Sequence, residues 1–350
     1  MNWFLAFIPI TLALEHWAPN QQLAIFGASG LAILPLAAWM GRATEHLAER
    51  TGEGVGGLLN ATFGNAAELI IAIAALRNGL HDVVKASIAG SIIGNILLVL
   101  GAAMAAGGAM HREQTYNAQA ARAQATMLTL AAITLILPAA FKAAVGERAA
   151  QELVPLSVSL SIVLLVVYVL FLAFSLKTHS DLFRGTEAAS ERHEEAWSVR
   201  RSALVLAAST IAIAWMSEIL VGSIEPAARA LGLGNAFVAI FVVAVLGNAA
   251  EHSTAITVAM KNRMDLALSI AVGSSIQVAL FVAPVLVLLS LVIGPQPMDL
   301  AFPGGLVLIV LLSILITGQV AADGRSDWLK GAQLLAVYGV LGLTVFFLAL

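Results

Sequence analysis

The sequence predicts an all-α, polytopic membrane protein of about eleven transmembrane helices, one extra helix plus two inverted five-helix repeats. Three observations lead there. Of 350 residues, 60% are hydrophobic and 11% charged, and the mean hydropathy is +0.92. Apolar stretches of bilayer length follow one another along the chain. A polar motif recurs at a fixed offset. A soluble chain carries roughly 45–50% apolar and about 25% charged residues, so an ordinary soluble domain and a disordered chain are both excluded.

A spanning helix needs about 20 mostly apolar residues. Candidate spans fall at 3–18, 22–41, 54–76, 86–108, 123–141, 153–176, 202–222, 235–260, 265–293, 302–318 and 331–349. The first lacks a basic leader and reads as a helix rather than a cleaved signal peptide. Pro35 and Pro284 fall inside spans and are expected to kink them. Barrel-like alternation is absent. The organisation expected is an N-terminal helix at 1–21, a first repeat at 22–176, a polar linker at 177–201 and a second repeat at 202–350.

All 18 Lys and Arg residues lie in loops or at span ends. With eleven spans, one side holds 13 of them and the other, with Arg77, Lys85, Lys142, Arg148 and Arg229, holds 5. The positive-inside rule makes the 13-residue side cytoplasmic, with the N-terminus there and the C-terminus opposite. The linker carries Asp181, Glu187, Glu191, Glu194 and Glu195 and reads as a solvated, mildly acidic cytoplasmic connection. A net charge of −3 gives no basic surplus for nucleic acid. With no cysteine there is no disulfide framework, thiolate metal site or cysteine nucleophile.

Gly64-Asn65-Ala66-Ala67-Glu68 recurs as Gly247-Asn248-Ala249-Ala250-Glu251, an offset of 183. Without gaps, residues 64–97 match 247–280 at 12 of 34 positions, including Asp82/Asp265, Gly90/Gly273 and Ser91/Ser274. This is a duplication. Each copy spans five helices, an odd number, so the copies enter the membrane in opposite senses. That is the inverted-repeat plan of many secondary transporters, whose substrate sites lie near the midplane.

Glu68 and Glu251 lie well inside spans, where a carboxylate costs roughly 2.5–3.5 kcal/mol on insertion scales and usually marks an ion or proton pathway. No Lys or Arg lies deep in any span, so each must be neutralised by a proton, a bound cation, or both in turn. Desolvation favours the protonated acid and a nearby cation favours the carboxylate, so proton and metal compete for the same oxygens. This is the physical core of a cation/proton antiporter. Asn65 is expected to share a helix face with Glu68, and Asn248 with Glu251. Ser87, Ser91 and Asn95 form one stripe on the fourth span, and Ser274 and Gln277 pair on the ninth. Such oxygen donors suit calcium, which takes six to eight oxygens; zinc and copper would favour His or Cys. His252, about 100° around the helix from Glu251, reads as structural or gating. Gly64 and Gly247 can loosen their helices and free carbonyls toward a cavity. Glu45, past the cytoplasmic end of the second span, and Glu218, near the opposite end of the seventh, are candidate ion-access residues at the two mouths.

The stretches Leu58-Leu59-Asn60-Ala61-Thr62-Phe63-Gly64-Asn65-Ala66-Ala67-Glu68, Val245-Leu246-Gly247-Asn248-Ala249-Ala250-Glu251-His252 and Ala271-Val272-Gly273-Ser274-Ser275-Ile276-Gln277 resemble the calcium/proton exchanger family, within the cation/calcium exchanger superfamily. Lys177-Thr178-His179-Ser180 and Asp323-Gly324-Arg325-Ser326-Asp327-Trp328-Leu329 extend the likeness over nearly the whole chain. The resemblance implies an eleven-helix antiporter that moves cytosolic calcium, or another divalent cation, against protons. Its paired glutamates match Glu68 and Glu251, and its polar ligands match Asn65, Asn248, Ser274 and Gln277, with Ser91 the repeat mate of Ser274. Sodium/calcium exchangers usually carry hydroxyl residues just before the repeat acid. Gly-Asn-Ala-Ala stands here instead, which favours proton coupling. The linker is less acidic than in some relatives.

The function expected is a secondary active calcium/proton antiporter working by alternating access, with calcium as transported substrate and no cofactor. A sodium-coupled calcium exchanger and a passive cation channel are the alternatives. An enzyme is not expected: no paired-histidine metal motif, nucleophile elbow or phosphate loop is present. The partners are calcium, protons and lipid, with a homo-oligomer compatible, and the expected location is a bacterial inner membrane.

Overall fold

The computed structural model describes residues 2–51, 53–146, 149–183 and 197–348. Eight of its helices are long and apolar enough to cross a membrane: Gln22–Thr51, His81–Met110, Ala118–Val145, Gln151–Thr178, Val199–Leu231, Asn235–Met260, Met264–Leu289 and Trp328–Phe347. Trp3–Trp17 and Gly304–Val320 are shorter apolar helices that match the expected first and tenth spans. The expected third span is built from two pieces, Glu53–Phe63 and Ala66–Arg77, separated at Gly64 and Asn65. Gly and Asn are weak helix formers, and the turn is placed on both.

Several helices outrun their apolar spans. Gln22–Thr51 continues ten residues past the expected end, so Glu45 is an exposed residue within the helix rather than beyond it. Ala, Glu, Leu and Arg in that stretch are good helix formers that need no lipid. Pro35 is accommodated inside this helix, and Pro284 lies inside the span Met264–Leu289, directly after its π-helical stretch Val278–Val282.

Helix limits recur at the same offset of 183 as the sequence motif. Ala66–Arg77 and Ala244–Met260 end at equivalent positions, and His81–Ile93 and Met264–Gln277 begin at equivalent positions. Each of the latter runs into a π-helical stretch, Gly94–Val99 and Val278–Val282. Such stretches widen the helix by a residue and are common at functional sites.

The chain divides into two compact units. One comprises Met1–Ser87, Ala189–Ala250 and Val345–Leu350; the other comprises Ile88–Ala188 and Glu251–Thr344. Each unit draws on residues from both expected repeats. In the first, Val199–Leu231 packs along Gln22–Thr51 and against Ala66–Arg77. Of the 177–201 linker, Trp197 is seated here. Its ring lies 4.8 Å from the His46 ring and 4.5 Å from the Arg201 guanidinium, and its carbonyl accepts from Arg50 Nε at 2.9 Å. Residues 184–196, with Glu187, Glu191, Glu194 and Glu195, lie outside the described residues.

In the second unit, Gly304–Val320 packs on Ala118–Val145, and Met264–Gln277 on Leu100–Met110. The two-residue strands Gln114–Thr115 and Arg325–Ser326 pair antiparallel, with Gln114 opposite Ser326. Lys330 braces this connection by donating to both Asp323 oxygens at 2.6 and 2.7 Å and to the Arg325 carbonyl at 2.7 Å. Burial pushes the Asp323 carboxyl up. The Lys330 hydrogen bond and charge, with the Arg325 N–H, outweigh it and hold the group below its ordinary value.

The helix Trp328–Leu348 touches His81–Met110 backbone to backbone. A Cβ at Gly331 would collide with the Ala105 backbone nitrogen and stand 2.6 Å from the Gly101 carbonyl oxygen. A Cβ at Gly101 would lie 3.1 Å from the Gly331 carbonyl oxygen. Such small-residue contacts drive helix association in lipid, where hydrophobic burial between helices contributes little. Gly331→Val is therefore expected to destabilise the protein by about 3 kcal/mol or more, in the range of severe overpacking. Thermal unfolding in detergent checks this, and a melting temperature equal to wild type would refute the contact.

Candidate functional site

Glu68 belongs to the first unit. It is the third residue of Ala66–Arg77, in the first turn, and only 8% of it is exposed. The break at Gly64 and Asn65 creates that helix start, which brings the positive end of the helix dipole to the carboxylate. It also leaves terminal carbonyls of Glu53–Phe63 outside the regular hydrogen-bond ladder. Asn65 is buried at the N-cap position with φ −99° and makes no side-chain capping bond, so it precedes the helix carrying Glu68 rather than sharing a regular helical face with it.

Asn248, also buried, comes from the other copy of the motif within the same unit. Its Nδ2 donates to Glu68 Oε1 and, at 2.9 Å, to the Ala244 carbonyl of its own helix. Gly247 makes this approach possible. A Cβ there would stand 3.1 Å from Glu68 Cγ. Ala244–Met260 runs unbroken through Gly247, so the loosening expected at that glycine is not found. The irregularity lies earlier, in the π-helical stretch Ala239–Val243.

Ser87 is half-buried and closes the first segment of that unit. Glu218, on Val199–Leu231, is engaged by two residues that sequence reasoning did not connect to it. Arg77 Nη1 donates to its Oε1 at 2.8 Å, and Asn78 Nδ2 donates to its Oε2 at 3.4 Å. The signal available was topological: the charge count put Arg77 on the side toward which Glu218 lies in its span.

The second unit holds the remaining groups. Glu251 and His252 are half-buried on Asn235–Met260. Asn95, Ser91 and Ser274 are buried, and Gln277 is half-buried. Asn95 Nδ2 donates to Ser274 Oγ at 3.1 Å, and His252 Nε2 lies 3.2 Å from Asn95 Oδ1. With its proton on Nε2, the imidazole donates to that oxygen. Asn95 stands in the π-helical stretch, which shifts its phase relative to Ser87 and Ser91. Ser275 Oγ, next to Ser274, donates to the Ile92 carbonyl at 3.3 Å and fixes the same pair of helices.

Among the described residues, no three His, Asp or Glu side chains gather in one place. The first unit offers the Glu68 carboxylate in company with the Asn248 amide, and the second carries Glu251 on the helix whose His252 meets the Asn95 amide and, through it, the Ser274 hydroxyl. These are hard oxygen donors, suited to a hard cation or a proton.

Residues 21–177 and 201–347 match the sodium/calcium exchanger protein family. The chain is similar to the Ca(2+)/H(+) antiporter of Aphanothece halophytica, 47% identical over 356 residues that span 98% of this chain and 95% of that one. It is similar to the Ca(2+)/H(+) antiporter ChaA of Bacillus subtilis (strain 168), 39% identical with 97% of each chain covered. Its fold resembles the structure of native YfkE with a TM-score of 0.83, at 37% identity and 98% coverage of each chain. The apolar helices and these likenesses together make it an integral membrane protein, and the chain belongs to the sodium/calcium exchanger protein family.

Proposed function

We propose that the protein is a calcium/proton antiporter. Glu68 and Glu251 each take calcium or protons in alternation, and calcium leaves the cytoplasm as protons enter. What carries the reading is the pairing of two facts. Relatives that align over nearly their whole length are named Ca(2+)/H(+) antiporters. The motif that recurs in this chain delivers a buried carboxylate held by an amide. Each protonation removes a negative charge from the cation's ligands, so the inward proton gradient expels the metal. Asn65, Asn248, Ser91, Ser274 and Gln277 complete the ligand sets, and Ser87, Asn95 and His252 line the approach. The bacterial relatives and the Lys/Arg asymmetry support a bacterial plasma membrane with the N-terminus cytoplasmic. Residues 22–176 and 202–350 act as the two inverted repeats.

The experiment is calcium uptake by proteoliposomes under an inside-acid gradient. Uptake is expected to follow the gradient and to collapse with a protonophore. Uptake that ignores the pH gradient but follows an inside-sodium gradient would establish the sodium-coupled exchanger instead. Flux that follows voltage alone would establish a channel.

A further inference from the structure

The tie between Glu218 and the end of the Glu68 helix lies outside the ion-binding groups. Glu218 is the sole acid in the apolar run from Ala203 to Ile224 of Val199–Leu231. Its two oxygens engage two successive residues, the last residue of Ala66–Arg77 and its C-cap. Arg77 Nη1 meets Oε1 at 2.8 Å, and Asn78 Nδ2 meets Oε2 at 3.4 Å while also donating to the Ala74 carbonyl at 2.8 Å. All of these residues belong to the first unit. The paired side chains are 62% and 40% exposed. A pair this open is worth only about 0–1 kcal/mol in water, too little to serve as a permanent staple. The apolar packing of Ala66–Arg77 on Val199–Leu231 already joins the two helices.

A weak, directional contact suits a tie that forms and parts repeatedly. Arg77 is nine residues from Glu68 on one unbroken helix, about 13 Å along the axis at 1.5 Å per residue. A helix of that length moves as a rod. A shift of its C-terminal end against Val199–Leu231 would therefore be carried to its N-terminal carboxylate.

We propose that Arg77 and Glu218 are positioning residues of the exchange cycle: their ion pair favours one working arrangement of the Glu68 helix and parts when another forms. Glu218 then acts on transport through Arg77 and not as an ion-access ligand. This rests on the calcium/proton exchange reading.

The absence of cysteine makes a clean test. Arg77→Cys and Glu218→Cys are introduced together and bridged with a bifunctional methanethiosulfonate reagent. Bridging is expected to stop proton-driven calcium uptake, and reduction of the bridge to restore it. Bridging yield in detergent is expected to change when saturating calcium replaces chelator, a readout that needs no residual transport and that a purely structural pair would not move. The charge-reversed pair Arg77→Glu with Glu218→Arg is expected to retain more exchange than either single reversal. Bridged protein that exchanges like unbridged protein, or a yield indifferent to calcium, overturns the proposal. Failure of the exchange reading looks different: unmodified protein would show no proton-driven uptake at all.

Discussion

Glu68→Gln is expected to abolish proton-driven calcium uptake while leaving the fold intact. The substitution preserves size, and the Gln Oε1 can still accept from Asn248 Nδ2 as the carboxylate does. The break at Gly64 and Asn65, which places this residue in a first helical turn, does not depend on its charge. What is lost is the anion. An amide neither gains nor loses a net proton near neutral pH, and it offers a cation only a dipole in a site where the residue is 8% exposed. Removing one partner of a buried ion pair costs about 3–5 kcal/mol, so calcium affinity should fall by roughly two to four orders of magnitude. Calorimetric titration of calcium measures the affinity, and a melting curve beside wild type separates this loss from misfolding. A Glu68→Gln protein that transported normally would return Glu68 to a structural role.

The second large effect is expected at Glu251. Glu251→Gln should also stop exchange, although the two acids sit in different local structures. Glu251 lies within an unbroken helix and is half-buried, so it lacks the helix start that Glu68 has. Its neighbour His252 is tied to Asn95, which in turn donates to Ser274. If the acids act together, each single substitution must eliminate coupled uptake, and the double variant must look like either single one. Non-additivity of this kind is the mark of groups that act as a unit. If Glu251→Gln only slowed uptake severalfold and the double variant were worse than Glu68→Gln, the acids would serve separate steps.

Much of the protein is readable from sequence because the bilayer simplifies the code. Apolar length marks a span, and a buried acid is conspicuous against a hydrophobic background. The repeat exposed both glutamates because the same polar pentapeptide stands twice where polarity is costly. The extents of Gln22–Thr51 and Val199–Leu231 were less legible, since helix propensity continues where the apolar pattern ends. The Trp197 seat was not legible either, because its partners His46, Arg50 and Arg201 come together only through packing.

The sequence by itself determined the membrane class and the helical architecture, and it singled out the two acids, which follow from composition, period and the cost of charge in lipid. Tertiary structure alone decided how each copy of one pentapeptide behaves. Gly64 and Asn65 interrupt a helix, whereas Gly247 and Asn248 continue one. The five residues are identical, so the difference lies outside them, in the flanking residues and in what packs around them. Gly247 faces the Glu68 side chain, and Asn248 bonds both that carboxylate and its own helix at Ala244. The pairing of Glu218 with Arg77 and Asn78 was decided in the same way, by the packing of two helices whose sequences are more than a hundred residues apart.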